Sequence, residues 1–122
     1  LRAILLGDLG AGAQRALLAS NLLAGPYDVV KVAHHGSADQ APALYARIAP
    51  VLAVFTVGAD NTFGHPRAAA LRALAATGAT LARTDESGLI LLSRAGTELR
   101  IWREVGPAER GDGPEALPWD SD

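Results

Sequence analysis

Residues 28–37 read DVVKVAHHGS. The first six are mostly valine and other apolar types, which predicts a buried strand over residues 28–33. Two adjacent histidines, His34 and His35, follow this strand, and Gly36 after them permits a sharp turn. On an extended backbone the two imidazoles would face opposite ways. The stretch therefore predicts a strand that ends by presenting two histidines.

Similar strand-and-helix units lie on both sides of this stretch. The run RAILLG predicts a strand over residues 2–7, and VLAVFTV predicts another over residues 51–57. Apolar residues at helical spacing, with proline and glycine as stop signals, predict three helices, over residues 11–23, 41–48 and 66–76. Strands that alternate with helices predict a mostly parallel sheet with right-handed crossovers.

The chain changes character after its third predicted helix. Short strands are predicted over residues 80–84, 89–93 and 99–103, and the turns between them are typical of hairpins. The predicted fold class is α/β, with a mostly parallel βαβαβα segment followed by antiparallel strands, in one domain over residues 1–105. Residues 106–122 are rich in proline, glycine and acidic residues, which predicts a flexible tail.

Composition narrows the possible functions. The 122 residues are enough for one compact domain, and a net charge of −2 gives no general attraction to nucleic acid. Any contact with DNA would therefore need a local patch or a bound metal. The absence of cysteine excludes disulfides and thiolate metal sites. Because the chain starts at Leu1 and contains no methionine, we expect it to be a piece of a longer protein.

The polar residues that could carry chemistry follow the predicted strands. Asp8 follows the first strand, His34 and His35 follow the second, and His65 lies in the loop after the third. Because the carboxyl ends of parallel strands meet at one edge of a sheet, these loops should converge. Carboxylate and imidazole together are a donor set that suits zinc or manganese. The sequence therefore predicts a metal-binding site at this edge of the sheet.

Each of these residues also has a structural explanation. Asp8 could cap the first helix, and the two roles are compatible because a carboxylate has two oxygens. Adjacent histidines are more often structural than catalytic, and Ser37 could either cap the following segment or offer its hydroxyl to a phosphate. These alternatives are left open by the residues themselves.

Two of the polar residues, His65 and Lys31, have two interpretations each. His65 could cap a turn together with Asn61, or it could contact an anion at the start of the third helix. Lys31, a lone cation among apolar residues, could lie over the edge of the sheet or pair with a carboxylate or phosphate.

Four motifs occur in an order and spacing that resemble a known family. LLGD, DVVKVAHHGS, VGADNTFGHP and RTDESG are similar to the C-terminal domain of ComEC-type DNA-uptake proteins of bacterial competence, over about residues 2–93. The resemblance implies a metallo-β-lactamase fold, an αββα sandwich with two metals at one edge. This chain would be its C-terminal half.

The resemblance also implies roles for the site residues. Asp8 would bridge two divalent metals, zinc or manganese, and His34, with His35 as the alternative, would ligate the second metal. His35 would otherwise act in catalysis on the leaving group. On the substrate side we expect four residues, namely Ser37, Asn61, His65 and Lys31.

The implied activity is a metal-dependent nuclease or phosphodiesterase that acts on single-stranded or double-stranded DNA during natural transformation. Alternatives are a non-catalytic DNA-binding or structural module, and hydrolysis of another phosphoester. The chain would be a soluble domain of a bacterial plasma-membrane protein, with the side of the membrane left open. A Rossmann-like nucleotide binder is disfavoured because residues 7–12, GDLGAG, do not fit GxGxxG.

One departure from the family pattern limits the site. The HxHxDH cluster expected in the first half of the fold does not occur in this sequence. A catalytic zinc site normally has three protein ligands, so we expect an incomplete site with weak metal binding and no hydrolysis by this chain alone. We also expect an uncovered apolar sheet face, which would pair with the missing N-terminal half or cause self-association.

Overall fold

The computed structural model describes residues 1–106 and 115–117 of the 122. It is an α/β structure in which a parallel sheet alternates with helices and is followed by antiparallel strands, as predicted. The parallel sheet has the order β1-β2-β3-β4, formed by Ala3–Leu5, Val29–Lys31, Leu52–Phe55 and Thr80–Arg83. The helices between these strands are α1, α2 and α3, over Ala11–Ala19, Pro42–Ile48 and Ala68–Ala75.

The second sheet is antiparallel, with the order β5-β6-β7, formed by Ile90–Ala95, Glu98–Arg103 and Glu115–Leu117. A single helical turn, α4 over Thr84–Ser87, joins the two sheets where the sequence predicts a hairpin turn. Strand β7 belongs to the segment predicted as a flexible tail, and it pairs with β6. The rest of that segment, residues 107–114 and 118–122, lies outside the described residues.

All three helices are shorter than predicted, α2 by one residue, and local hydrogen bonds explain the end of α1 and the start of α3. Helix α1 ends at Ala19 because the Ser20 backbone N–H and hydroxyl both donate to the Leu17 carbonyl, the hydroxyl at 2.6 Å. Helix α3 begins at Ala68, so Pro66 precedes the helix instead of lying in its first turn. The Arg67 N–H donates to the Gly36 carbonyl at 2.8 Å, which holds the entry to α3 against the double-histidine segment.

Alternation along the strands gives the parallel sheet two buried faces. Val30, Ala53 and Phe55 point to the face covered by the three helices, where they pack with buried side chains of α2 and α3. The opposite face contributes Val29, Leu52 and Ala82, which pack against Leu99 and Ile101 of β6. The second sheet therefore covers β2, β3 and β4.

The prediction of an uncovered face at the third strand is wrong for that reason, since Leu52 is fully buried beneath β6. An uncovered region remains at the edge strand β1, where Leu5 is 74% exposed. Leu5 is in register with Lys31 of β2. Self-association through this edge stays a prediction. Among the described residues, no helix has the length and apolar character needed to cross a membrane.

Candidate functional site

The loops after β1, β2 and β3 converge at one edge of the parallel sheet, as the sequence predicts. The backbone N–H of His34 donates to the Gly7 carbonyl at 2.8 Å, so the Asp8 loop lies directly against the double-histidine turn. The double-histidine turn also contacts the segment after β3, because the His35 ring forms a hydrogen bond with the Thr56 carbonyl.

The double-histidine turn has an unusual backbone. His34 (φ 48°, ψ 46°) and His35 (φ 54°, ψ 23°) both adopt the left-handed conformation within the 3-10 turn Ala33–Gly36. The prediction of opposite-facing side chains on an extended strand is therefore wrong, because β2 ends at Lys31. Left-handed conformations cost a residue with a Cβ about 1–2 kcal/mol each, and such strain concentrates at functional sites.

Gly36 completes this turn and is closely surrounded. Its φ of +79° is also left-handed, and an added Cβ would lie 2.7 Å from both the Phe55 ring and the Pro66 side chain. Only glycine fits between the turn and the entry to α3.

His35 and Asp8 form the closest pair at the site. The His35 Nε2 lies 4.0 Å from the Asp8 Oδ1, and both side chains are well exposed, at 49% and 73%. The His35 Nδ1 lies 2.7 Å from the Thr56 carbonyl oxygen. Because a carbonyl only accepts, this contact places the hydrogen on Nδ1 and leaves the lone pair of Nε2 free in the neutral ring. In that tautomer the His35 Nε2 and the Asp8 carboxylate are both acceptors, so a cation or a water molecule could bridge them.

The donor set fits part of a metal site. Zinc bonds to imidazole nitrogen and carboxylate oxygen at about 2.0–2.2 Å in a tetrahedral arrangement, which places two ligand atoms of one ion about 3.4 Å apart. The separation of 4.0 Å between Asp8 and His35 would therefore have to shorten by about half an ångström for the two to share one ion. Within residues 1–106, however, no group of three or more histidine, cysteine or acidic side chains could hold a metal. Among the described residues, Asp8 and His35 could therefore supply at most two ligands to a metal.

The resemblance implies that His34 is a metal ligand, but among the described residues the histidine near the Asp8 carboxylate is His35. Its ring centroid lies 6.4 Å from that of His35 and 6.0 Å from that of His65, both in edge-to-face arrangements. Among the described residues, His35 is the only histidine within 4.0 Å of a carboxylate. Of the two adjacent histidines, His35 thus lies closer to Asp8, while the His34 ring lies about equally far from the rings of His35 and His65.

Asn61 organises the loop after β3. Its side-chain amide donates to the carbonyls of Gly58 and His65, at 3.1 and 3.0 Å, and its oxygen accepts the His65 N–H at 3.1 Å. This is the capping arrangement considered from the sequence. His65 itself does not start a helix, because α3 begins three residues later.

A cavity of about 450 Å³ opens beside His35. It is lined by His35, Thr56, Val57, Gly58, Asn61, Phe63, His65 and Thr84. Phe63 is 70% exposed and stacks on the His65 ring at a centroid distance of 5.8 Å. An exposed aromatic ring at the rim of a cavity offers a surface to an aromatic ligand. Phe63 was missed in the sequence, although its position between polar residues in NTFGHP was a usable signal.

The RTDESG segment, residues 83–88, stabilises the wall of this cavity. The Thr84 hydroxyl donates to the Val57 carbonyl at 2.8 Å and accepts the Val57 N–H at 2.7 Å. Arg83 holds Asp85 through two hydrogen bonds, at 3.1 and 2.7 Å. No role for Thr84 could be predicted from sequence alone, because its partner lies 27 residues away along the chain.

The structure shows a local capping bond for Ser37 and places Lys31 near the edge of the sheet, and the substrate roles of both stay predictions. Ser37 is buried, and its hydroxyl accepts the Asp39 N–H at 3.3 Å, as a local cap does. Lys31 is partly exposed in register between Leu5 and Val54, at the place where the second sheet stops covering the first. A lysine stem over apolar surface suits this place.

The surroundings of the His65 ring disfavour its charged form. Partial burial lowers its pKa below the ordinary 6.5, and the positive charge of Arg67, then that of His34 and His35, lowers the pKa further. The unfolded chain therefore binds this proton more readily than the folded chain does. The contribution of His65 to stability is present above about pH 6.5 and is lost as the pH falls through that value toward the folded-state pKa.

We expect Arg67→Gln to raise the pKa of His65 toward its ordinary value, measured by NMR titration of the ring protons. Arg72→Gln removes a cation from α3, the helix that Arg67 precedes, and because Arg72 does not act on His65 it should leave that pKa unchanged. An unaltered His65 pKa in the Arg67 variant would show that the electrostatic contribution is wrong.

Comparison with known protein families, with curated proteins and with solved structures found no match for this chain. The resemblance to the ComEC-type domain therefore rests on the four sequence motifs alone.

Proposed function

We propose that residues 1–105 form part of a metal-dependent phosphodiesterase domain of the metallo-β-lactamase type, which acts on DNA during natural transformation. The observation that carries the proposal is the Asp8–His35 pair, 4.0 Å apart, with the His35 ring held by the Thr56 carbonyl so that Nε2 faces the carboxylate. This is the support that a metal-bound histidine commonly has in proteins.

Different residues of this chain would bind the metal, hold the substrate and attract the phosphate of one phosphodiester. Asp8 and His35 would hold one divalent metal, which when bound polarises the phosphate and lowers the pKa of water. The cavity beside His35 would take the part of the substrate next to the phosphate, with Phe63 at its rim. Arg67, whose charge acts on His65, would contribute positive charge to attract the phosphate.

A second function is favoured by the shortage of ligands. Because residues 1–106 supply no third donor, the chain could serve as a non-catalytic module that binds DNA or supports a membrane protein. Hydrolysis of another phosphoester is the third possibility, and the cavity volume alone does not distinguish it from DNA cleavage.

A zinc titration of the intact chain, followed by NMR and calorimetry, tests the proposal. We expect binding weaker than micromolar at neutral pH, with shift changes concentrated at Asp8 and His35, and no cleavage of DNA by the chain alone. Affinity in the micromolar range or tighter would contradict an incomplete site. If neither residue responds even at millimolar zinc, the metal proposal fails and the non-catalytic module is favoured.

Phe63 provides a separate test of the substrate class. Stacking of a base on an aromatic side chain is worth about 1–3 kcal/mol, so we expect Phe63→Ala to weaken binding of a single-stranded oligonucleotide about tenfold. Fluorescence anisotropy at fixed, low salt measures this. Leu22→Ala is the matched control, because Leu22 is equally exposed but lies after α1, at the other edge of the sheet. Equal losses in both variants, or no binding by the unaltered chain, would contradict a DNA substrate.

A further inference from the structure

Two glutamines and a tyrosine lie directly behind the Asp8–His35 pair and have so far been given no role. Gln14 of α1 and Tyr45 of α2 are fully buried, and Gln40 is half-buried between them. A buried amide is costly unless its donors and acceptors are all paired, so the hydrogen bonds of these side chains show what they hold in place.

Gln14 connects the Asp8 loop to Gln40. Its Nε2 donates to the carbonyl of Leu9, the residue after Asp8, at 2.7 Å, and to the Gln40 Oε1 at 2.9 Å. Its Oε1 accepts the Ala41 N–H at 2.9 Å. Through these bonds Gln14 holds the Asp8 loop, after β1, in place relative to the segment that follows the double-histidine turn.

Gln40 holds both ends of the double-histidine turn. Its Nε2 donates to the carbonyl of Ala33, directly before the histidines, at 2.9 Å, and to that of Ser37, directly after Gly36, at 3.0 Å. The Tyr45 hydroxyl donates to the Gln40 Oε1 at 2.6 Å and accepts the Ala33 N–H at 3.3 Å. Burial raises the pKa of Tyr45 to about 12, so the hydroxyl keeps its proton and remains a donor at neutral pH.

We propose that Gln14 and Gln40, with Tyr45, are positioning residues that hold His34 and His35 in the left-handed conformation and set the separation of Asp8 from His35. Adjacent left-handed residues persist only where the surrounding structure determines them. Here the Gln40 amide binds the backbone on both sides of the strained pair, and Gln14 binds Gln40 and the Asp8 loop. The positioning itself requires no metal. Its value for catalysis rests on the proposed function.

The variant Gln40→Met tests this directly, because methionine has a similar length but no polar amide. Nitrogen NMR of the His35 ring at about pH 8, where an ordinary histidine is neutral, reports which nitrogen carries the hydrogen. In the unaltered chain we expect the Nδ1–H form to dominate. In the variant we expect its population to fall severalfold, with backbone shifts of His34 and His35 moving away from left-handed values.

Ser20→Ala is the control, since it also removes a side-chain hydrogen bond to a backbone carbonyl but lies at the end of α1, away from the turn. It should leave the His35 signals unchanged. Should Gln40→Met fail to fold, Tyr45→Phe removes only the hydroxyl between Gln40 and Ala33 and decides the matter. A folded variant with an unaltered His35 tautomer and unaltered turn would overturn the proposal. Because neither metal nor DNA is present, this result is independent of the zinc titration.

Discussion

Replacing His35 by asparagine is expected to abolish the zinc-induced shift changes at Asp8, a loss in affinity of more than about tenfold. The reason is that the structure brings only one imidazole nitrogen within reach of the Asp8 carboxylate, at 4.0 Å. Asparagine is the suitable replacement because it adopts positive φ more readily than most residues and should preserve the turn.

His34→Asn is the matched control for that experiment. Its position in the turn is equally left-handed, at φ 48° against 54° for His35, so the two variants carry a comparable backbone cost. Zinc affinity should change by less than about twofold, since of the two histidines it is His35 that lies closer to Asp8. The opposite pattern, with loss in the His34 variant only, would return the ligand role to His34 as the family resemblance implies.

Gly36→Ala is expected to lower the free energy of unfolding by about 3 kcal/mol. A left-handed φ costs alanine about 1–2 kcal/mol, and inserting a methyl group into a packed interior costs about 1–3 kcal/mol more. Here the methyl group would lie 2.7 Å from Phe55 and Pro66, neither of which is a flexible chain end. Urea denaturation followed by circular dichroism gives the difference.

Gly12→Ala is the comparison for this second experiment. Gly12 lies in α1, and a Cβ added there meets no atom within 4 Å. Alanine is the better helix former, so this variant should be unchanged or stabilised by about 0.5 kcal/mol. Equal stabilities for the two variants would mean that the close packing around Gly36 does not exist in solution.

The order of elements and the meeting of the three loops could be predicted from the sequence, because both follow from local patterns. Apolar runs marked the strands, and the rule that parallel strands end at one sheet edge brought Asp8 and His35 together. Element ends were less accurate. Helix α1 was predicted to residue 23 because its leucines continue past Ala19, whereas a local cap at Ser20 ends it.

The finer features of the site depend on contacts between distant residues, which no local pattern reveals. His35 and its partner Thr56 are 21 residues apart in the sequence. Gln14 is 26 and 27 residues away from its partners Gln40 and Ala41. Gln14 in α1 and Gln40 in the loop before α2 gave no signal of a shared function. The left-handed turn was equally hidden, because HHG is compatible with an extended strand until the bonds around it are known.

The edge position of β1 has a consequence for how a ligand would act on the molecule as a whole. This strand has three residues, pairs only with β2 among the described strands, and leaves Leu5 in solvent. Local opening there costs less free energy than opening of the central strands, and it would carry Asp8 away from His35. Anything that bridges these two side chains must therefore also suppress fraying of the edge, so occupancy of the site and order of the first strand would rise and fall together.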